Sequence, residues 1–245
     1  CPPPRCTSAG RSEWAEVPLK LVTYNIRHGK GMDRRVSLPR IARVITDLEP
    51  DIVCLQEVDV RMPRSRFVDQ ALRLGELTGL RHVFGPSLKW PVGGLYGNAI
   101  LTRWEIENHT VTRLPGRDEP RSALSVRCAT PFGPIRVIST HWGLESKERA
   151  EQGDAVAKLV ADCEIPVLLA GDFNESSEMR GHEPLRVAGL RRLGPDEPTY
   201  PSPDPTEWID HVYGSHHWSV LGVAVTPSLA SDHRPVLLEL QLTPP

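Results

Sequence analysis

A strand-length apolar run followed at once by acidic and amide side chains is the feature that most constrains this chain. The run spans residues 165–170, with Pro166 near its start and Gly171 directly after it, and this composition predicts a buried strand. Asp172 and Asn174 follow. Oxygen-bearing side chains at the end of a buried strand project from the sheet edge into a crevice, where they suit Mg²⁺, Mn²⁺ or Ca²⁺.

Several other predicted strands end in polar side chains in the same way. Strands are predicted at residues 19–26, 51–57, 122–129, 135–140, 207–213, 220–225 and 235–242, and helices at 38–48, 67–78 and 147–162. The polar residues at strand ends are Asn25, Glu57, His141, Asp172, Asn174, Asp210, Asp232 and His233. Only a fold that gathers these distant positions would make them one chemical site.

Length and charge restrict the possible classes of protein. The 245 residues suffice for one large α/β domain, which we place at residues 18–243 after a flexible, proline-rich tail at residues 1–17. The net charge of −2 and the pI of about 6.5 provide no global basic field, so a polyanionic substrate must be held locally. No apolar stretch approaches the roughly 20 residues that cross a bilayer. We expect a monomer without an obligate protein partner.

The cysteines point away from a metal cluster and leave the cellular location open. They are five in number and contain no Cys-x-x-Cys pair, which argues against zinc binding and a disulfide framework. Cys54 and Cys128 lie in apolar runs and are predicted to pack as small hydrophobic side chains. The chain lacks an initiator Met, which fits either a truncated sequence or a removed secretion signal. In the second case Cys1 would be a lipid-modified residue of an exported lipoprotein.

The ordered set of motifs resembles a known superfamily. The motifs are Thr23-Tyr24-Asn25, Leu55-Gln56-Glu57-Val58-Asp59, Tyr96-Gly97-Asn98-Ala99-Ile100-Leu101, Ser139-Thr140-His141, Gly171-Asp172-Phe173-Asn174, Trp208-Ile209-Asp210-His211 and Ser231-Asp232-His233-Arg234-Pro235. Together they resemble the endonuclease/exonuclease/phosphatase superfamily, which includes deoxyribonuclease I, abasic endonucleases of the exonuclease III type, neutral sphingomyelinases and inositol polyphosphate 5-phosphatases. The match runs from about residue 19 to 242. The resemblance implies a four-layer α/β sandwich, in which two mixed β-sheets pack face to face with helices outside.

The resemblance also implies a division of labour among the site residues. Glu57 would be the principal metal ligand, with Asn25 and Asp232 beside it, and the ion would be Mg²⁺ or Mn²⁺, with Ca²⁺ as a structural alternative. A water molecule would attack a phosphodiester in line. Either His233, paired with Asp210, or Asp172 would take its proton, and the sequence does not choose between them.

Further residues are implied to hold the phosphate. Asn174 and His141 would donate hydrogen bonds to its nonbridging oxygens, and Arg121 is a candidate for the same role. Tyr96 and Asn98 are catalytic candidates at the start of another strand. Deoxyribonuclease I-like members place a glutamate at the position of Asn98 and pair it with the histidine that matches His141. A neutral amide cannot stabilise an imidazolium in that way, so His141 is not expected to be a strong general acid.

The motifs favour one activity and leave two alternatives. The first hypothesis is a divalent-metal-dependent phosphodiesterase, with nucleic acid, above all DNA, as its substrate. The second is the same chemistry on a phospholipid, sphingomyelin or phosphoinositide headgroup, which would fit Tyr96-Gly97-Asn98 and a lipid-modified Cys1. The third is a non-catalytic binding module, which retention of Glu57 and His233 argues against. The basic segment Arg61, Arg64, Ser65 and Arg66 is either a solvated loop or a contact for the outer part of a phosphorylated ligand.

Overall fold

Two six-stranded sheets organise the molecule. The computed structural model describes residues 18–91 and 93–243, so the predicted tail and Cys1 lie outside the described residues. The strands are β1 (Leu19–Asn25), β2 (Ile52–Val60), β3 (Arg81–Lys89), β4 (Leu95–Thr102), β5 (Glu105–Arg113), β6 (Ser122–Thr130), β7 (Gly133–His141), β8 (Val167–Asp172), β9 (Arg191–Gly194), β10 (Asp210–Gly214), β11 (Trp218–Val225) and β12 (Val236–Leu242). The α-helices are α1 (Leu38–Asp47), α2 (Gln70–Thr78), α3 (Ser146–Val160) and α4 (Glu183–Val187).

Both sheets are mixed, as the resemblance implied. The first has the order β11-β12-β1-β2-β4-β3 and the second β5-β6-β7-β8-β10-β9. Strands β1 and β2 run parallel, as do β7 and β8, whereas the other neighbours are antiparallel. Parallel strands end at the same edge of a sheet, and an antiparallel neighbour begins there. The ends of β1, β7 and β8 and the start of β10 therefore carry Asn25, His141, Asp172 and Asp210, whereas Glu57 lies within β2 and Asn174, Asp232 and His233 lie in loops.

Apolar side chains fill three layers between these elements. Leu21, Cys54, Ile100, Leu124, Val137 and Leu168 belong to the core between the sheets. A second cluster joins the outer face of the first sheet to α1 and α2, and a third joins the second sheet to α3 and α4. This confirms the predicted four-layer sandwich. It also confirms that Cys54 and Cys128 are buried. In the part of the chain that the structure describes, no helix combines the length and apolar character needed to cross a bilayer.

Several predicted boundaries were wrong for identifiable reasons. Strand β8 starts after Pro166, whose nitrogen has no hydrogen to donate, and it includes Asp172 because Asp172 pairs with His141 on β7. Strand β2 does not end at Glu57 but continues to Val60, because a bulge between Leu55 and Val58 absorbs the polar pair.

Some elements were misplaced or missed altogether. Helix α2 begins at Gln70 rather than residue 67, because the Asp69 side chain accepts a hydrogen bond from Leu72 N and caps it. Strands β3 and β5 were not predicted. Strand β5 has many exposed polar residues, most of β3 is only half-buried, and both lie at a sheet edge, where apolar alternation is weak.

Candidate active site

The predicted site residues converge at one end of the sandwich. Asp172 ends β8 and lies in register with His141, the last residue of β7, and with Asp210, the first residue of β10. Asn25 ends β1 in the other sheet. Its side-chain Nδ2 donates to Asp172 Oδ2 at 2.9 Å, which joins residues 147 positions apart in sequence. The two sheets therefore meet at a single polar cleft.

Asp172 is the hub of this cleft. Its Oδ1 accepts a hydrogen bond from Asn174 N at 3.0 Å. Its Oδ2, besides the bond from Asn25, lies 3.4 Å from His141 Nε2 and 3.6 Å from His233 Nε2. Burial raises the pKa of the Asp172 carboxyl to about 7 against the opposing effect of the His233 cation. A carboxyl whose pKa lies near neutrality is well suited to exchange a proton with water.

His233 and Asp210 form a buried ion pair. His233 Nδ1 donates to Asp210 Oδ2 at 2.8 Å. Burial alone lowers the pKa of His233, but the Asp210 and Asp172 carboxylates outweigh it and raise the pKa to about 10. Thr199 Oγ1 also donates to Asp210 Oδ2, at 2.5 Å. The Tyr200 ring lies 4.8 Å from the His233 ring, centroid to centroid. The paired carboxylate and histidine implied by the resemblance are thus in contact.

Glu57 occupies a strained position beside Asn25. It has a φ of 57° at the bulge in β2, and this left-handed conformation turns its side chain out of the regular strand pattern. Asn25 Nδ2 donates to Glu57 Oε1 at 3.1 Å and is the one hydrogen-bond donor to this carboxylate among the described residues. Burial raises the pKa of Glu57, and the nearby Asp232 carboxylate adds to the effect. A partly desolvated pair of carboxylates favours a bound cation.

The other two predicted metal ligands have partners of their own. Asp232 Oδ2 lies 3.1 Å from Arg27 Nε, and Asn25 Oδ1 accepts a hydrogen bond from Arg27 N at 3.1 Å. As oriented, Asn25 turns its amide nitrogen toward Glu57, and an amide nitrogen is not a metal ligand. The oxygen donors of Glu57 and Asp232 fit a hard divalent ion, whereas Asn25 would have to turn its oxygen inward to join them.

A second group could also hold an ion. Ligand atoms of Asp172, Asp210 and His233 all lie within 4.8 Å of one another, and all three residues are buried. The hydrogen bond between His233 and Asp210 engages one nitrogen of the imidazole, which supports an acid–base role for this group. The Glu57 carboxylate has fewer partners.

His141 is a neutral hydrogen-bond donor in this setting. Its Nδ1 lies 2.9 Å from Arg121 Nη1. Because a guanidinium can only donate, Nδ1 accepts and Nε2 carries the proton, directed toward Asp172. Burial, with the Arg121 and His233 cations, holds the pKa of His141 well below its ordinary value. Arg121 is itself buried, and its Nη1 lies 3.0 Å from Glu119 Oε1, so part of its guanidinium group is already paired.

Three other predicted residues have unexpected partners. Asn174, at a φ of 51°, donates from Nδ2 to Trp142 O at 2.8 Å. Asn98 Nδ2 on β4 donates to the backbone oxygen of Ser122 on β6 at 2.9 Å, so this amide is bonded to the backbone rather than to His141. Tyr96 is buried, and its ring lies under the Arg64 guanidinium at 5.2 Å. Sequence reasoning missed Thr199, because a threonine inside a proline-rich loop carries no local signal.

The sequence is similar to those of known proteins. A sequence model of the Endonuclease/Exonuclease/phosphatase family matches residues 22–233. The uncharacterized protein YbhP of Escherichia coli strain K12 is 30% identical over 250 aligned positions, which cover 93% of this chain and 98% of YbhP.

Solved structures are similar in fold. An endonuclease/exonuclease/phosphatase of Beutenbergia cavernae has a TM-score of 0.79 at 24% identity over 93% of this chain and 72% of that one. A mannosyl-6-phosphatase of Bacteroides thetaiotaomicron gives 0.73 at 21% identity over 91% and 99%. The catalytic domain of human Nocturnin with bound sulfate gives 0.71 at 19% identity over 93% and 94%.

Proposed function

Because the chain belongs to the endonuclease/exonuclease/phosphatase family, we propose that it is a divalent-metal-dependent phosphodiesterase that hydrolyses nucleic acid, with DNA as the leading substrate. One observation carries the proposal: the Asn25–Asp172 hydrogen bond joins the Glu57 carboxylate of one sheet to the acid–base group of the other. Such a cleft pairs a cation site with a proton acceptor, as hydrolysis of a phosphate ester requires.

The phosphate group would lie between the two halves of the cleft. His141 Nε2–H faces this space and is a neutral donor suited to a nonbridging oxygen. Asn174 would contribute a second donor if it exchanged its bond to Trp142 O for one to the phosphate. A divalent ion held by Glu57 and Asp232 would offset the charge that builds on the phosphate oxygens.

Asp172 is the group that we propose accepts the proton of the attacking water. Its oxygen faces both histidines, and its pKa of about 7 allows it to be ionised at neutral pH. His233 is held as a cation by Asp210, so it would stabilise negative charge rather than remove a proton. Thr199 and the Asp210 carboxylate fix its orientation.

The test is a panel of phosphate esters assayed with Mg²⁺ or Mn²⁺ and with chelator. The panel contains supercoiled plasmid, abasic duplex, single-stranded RNA, sphingomyelin and inositol phosphates. We expect metal-dependent plasmid nicking that is lost in Asp172→Ala and retained in Asp154→Ala, a matched change at an exposed carboxylate on α3. Headgroup release without nicking would assign the cleft to lipid substrates. Inactivity on every substrate would favour a binding module.

The choice between Asp172 and His233 as base is decided by a pH–rate profile. If Asp172 accepts the proton, activity falls as the pH drops through its pKa, and the His233→Asn variant retains this acidic limb at a reduced rate. Loss of the limb in His233→Asn would identify the imidazole as the base instead.

A further inference from the structure

Beside the cleft, an exposed loop presents cations and an aromatic ring on a strained backbone. The loop spans residues 61–68 and directly follows β2. Arg61, Arg66 and Phe67 have φ values of 56°, 59° and 60°, and all three side chains are exposed. A left-handed conformation costs a residue other than glycine about 1–2 kcal/mol. Such conformations persist only where surrounding contacts impose them, and they are common at ligand-binding positions.

The surrounding contacts that impose this shape are present. Arg64 donates from Nε and Nη2 to both oxygens of the buried Asp59, at 2.9 and 2.8 Å. Ser65 Oγ donates to Met62 O, and Phe67 N donates to Met62 O at 2.9 Å. The loop is thus clamped at its centre while the strained residues point outward. The exposed side chains on this strained backbone are therefore held in place and are free to contact a ligand.

A second exposed segment lies against this loop. Val60 pairs with Leu95 on β4, which pairs in turn with Lys89 on β3, so the loop after β2 and the turn after β3 leave the sheet side by side. Gly94 is in close contact with Met62, and a Cβ there would lie 2.6 Å from the Met62 sulfur. Lys89 ends β3 and Trp90 begins the turn, and both side chains are exposed.

The two segments together present exposed positive charges and two exposed aromatic rings. We call it the basic aromatic surface and define it as Arg61, Arg66, Phe67, Lys89 and Trp90. Phe67 is 66% exposed and Trp90 45% exposed. Neither residues 60–68 nor residues 86–97 contain Asp or Glu, in a chain whose net charge is −2. Of the carboxylates that border the loop, Asp59 is buried and paired with Arg64, and Asp69 caps α2, so the exposed charges of the surface itself are positive.

The basic aromatic surface is continuous with the proposed cation site. Glu57 lies three residues before Val60 on the same strand, and Arg64 is stacked over Tyr96 between them. Three residues of strand span about 10 Å. A chain whose phosphate occupies the cleft would therefore reach the surface within about three nucleotides, at roughly 3.4 Å per stacked base.

We propose that the basic aromatic surface binds single-stranded nucleic acid, with Arg61, Arg66 and Lys89 at the phosphates and Phe67 and Trp90 stacked on unpaired bases. This inference rests on the proposed function and adds that the nucleotides beside the cleft are unpaired when bound, since the faces of bases in a duplex are covered by their neighbours. A membrane is the less suitable partner, because its apolar contact would be limited to two rings separated by cations.

Binding of a fluorescein-labelled dT12 oligonucleotide tests the role of the rings. All proteins in this assay carry Asp172→Asn, so that the probe is not cut, and all binding solutions contain Mg²⁺. Stacking contributes about 1–3 kcal/mol per base, so Phe67→Ala/Trp90→Ala should raise Kd at least tenfold. Val187→Ala/Leu221→Ala, which removes exposed apolar groups elsewhere, should leave Kd unchanged. Equal Kd values for the two double variants would overturn the proposal.

The salt dependence of the same binding tests the cations. Arg61→Gln/Arg66→Gln should reduce the slope of log Kd against log salt concentration by about 1.4, which is 0.7 for each lost phosphate contact. Arg43→Gln/Arg113→Gln, an equal change of charge at exposed positions on α1 and β5, should keep the original slope. Tighter binding to a 12-base-pair duplex than to dT12 would also overturn the proposal.

Two further measurements separate this inference from its premise. Hydrolysis of the p-nitrophenyl ester of thymidine monophosphate by the unmodified chain tests the proposed activity alone. Activity on this ester without surface-dependent binding of dT12 would refute the inference and leave the proposed function standing. Binding to phosphatidylserine vesicles that requires Phe67 and Trp90, with no binding of dT12, would reassign the surface to a membrane.

Discussion

Breaking the buried ion pair between Arg149 and Glu175 should destabilise the fold far more than breaking an exposed pair. Arg149 Nε on α3 lies 2.6 Å from Glu175 Oε2, and the side chains are only 12% and 3% exposed. Arg149→Met would keep much of the side-chain volume but leave the carboxylate buried without its cation. Breaking a buried pair in this way costs about 3–5 kcal/mol. At about 2–4 °C per kcal/mol for a chain of this size, Tm should fall by roughly 6–20 °C.

The chain contains a matched control for this variant. Arg186 Nη2 also lies 2.6 Å from a glutamate oxygen, that of Glu183, but these side chains are 44% and 63% exposed. Exposed pairs contribute roughly 0–1 kcal/mol. Arg186→Met should therefore lower Tm by no more than about 4 °C.

Urea unfolding followed by circular dichroism, together with calorimetry, measures both changes. A double-mutant cycle that adds Glu175→Gln to Arg149→Met isolates the pair, and the coupling should exceed about 1.5 kcal/mol. If the Arg149 and Arg186 variants lost equal stability, the reasoning that burial rather than distance sets the strength of these pairs would be refuted.

Three other variants test separate features. Burial, and then the charge that His211 acquires at low pH, lowers the pKa of His182 to about 3. The neutral His182 therefore stabilises the fold above pH 6.5, and this contribution is lost as the pH falls toward 3. Between pH 7 and pH 5 this group should lower the free energy of unfolding of the unmodified protein by about 2 kcal/mol. Over the same range the free energy of unfolding of His182→Phe, measured by urea titration, should fall by about 2 kcal/mol less than that of the unmodified protein. Arg66→Gly should raise the free energy of unfolding by about 0.5–1 kcal/mol, since glycine accepts a φ of 59° without strain; a decrease would contradict the conformation described. In Gly171→Ala the new Cβ would lie 2.0 Å from Thr140 O, so calorimetry should show a loss of about 1–3 kcal/mol, and wild-type activity would contradict the close approach of β7 and β8 beside the site.

The prediction of the fold succeeded where apolar patterns were strong. Helix α1, with Ser37 before it and Pro39 in its first turn, was predicted to within one residue, because its apolar spacing is fully local. The edge strand β3 was missed, since a strand with one neighbour and many exposed residues has little alternation to detect. The bulge at Glu57 was missed for a different reason, because only pairing with β4 shows that β2 continues beyond the glutamate.

The sequence also identified the chemical groups of the site but not their contacts. It identified Asp172, Asp210 and His233 as members of one set, and in the structure the ligand atoms of these residues lie within 4.8 Å of one another. It identified Asn98 at the position where related proteins pair a glutamate with the histidine, but it contained no sign that His141 would be bonded to Arg121 and Asn98 to Ser122 O. The sequence contained no sign that Thr199 holds Asp210.

The sequence by itself determined the family, the strands and helices with strong apolar patterns, and the polar residues that follow them, because each depends on residue types and short spacings. The tertiary structure alone decided that Asp172 is the shared partner of Asn25, His141 and His233, and that a clamped loop presents Phe67 beside the turn that carries Trp90. Contacts between residues as far apart as 147 positions depend on strand register and on how two sheets pack, and neither is encoded in any local pattern.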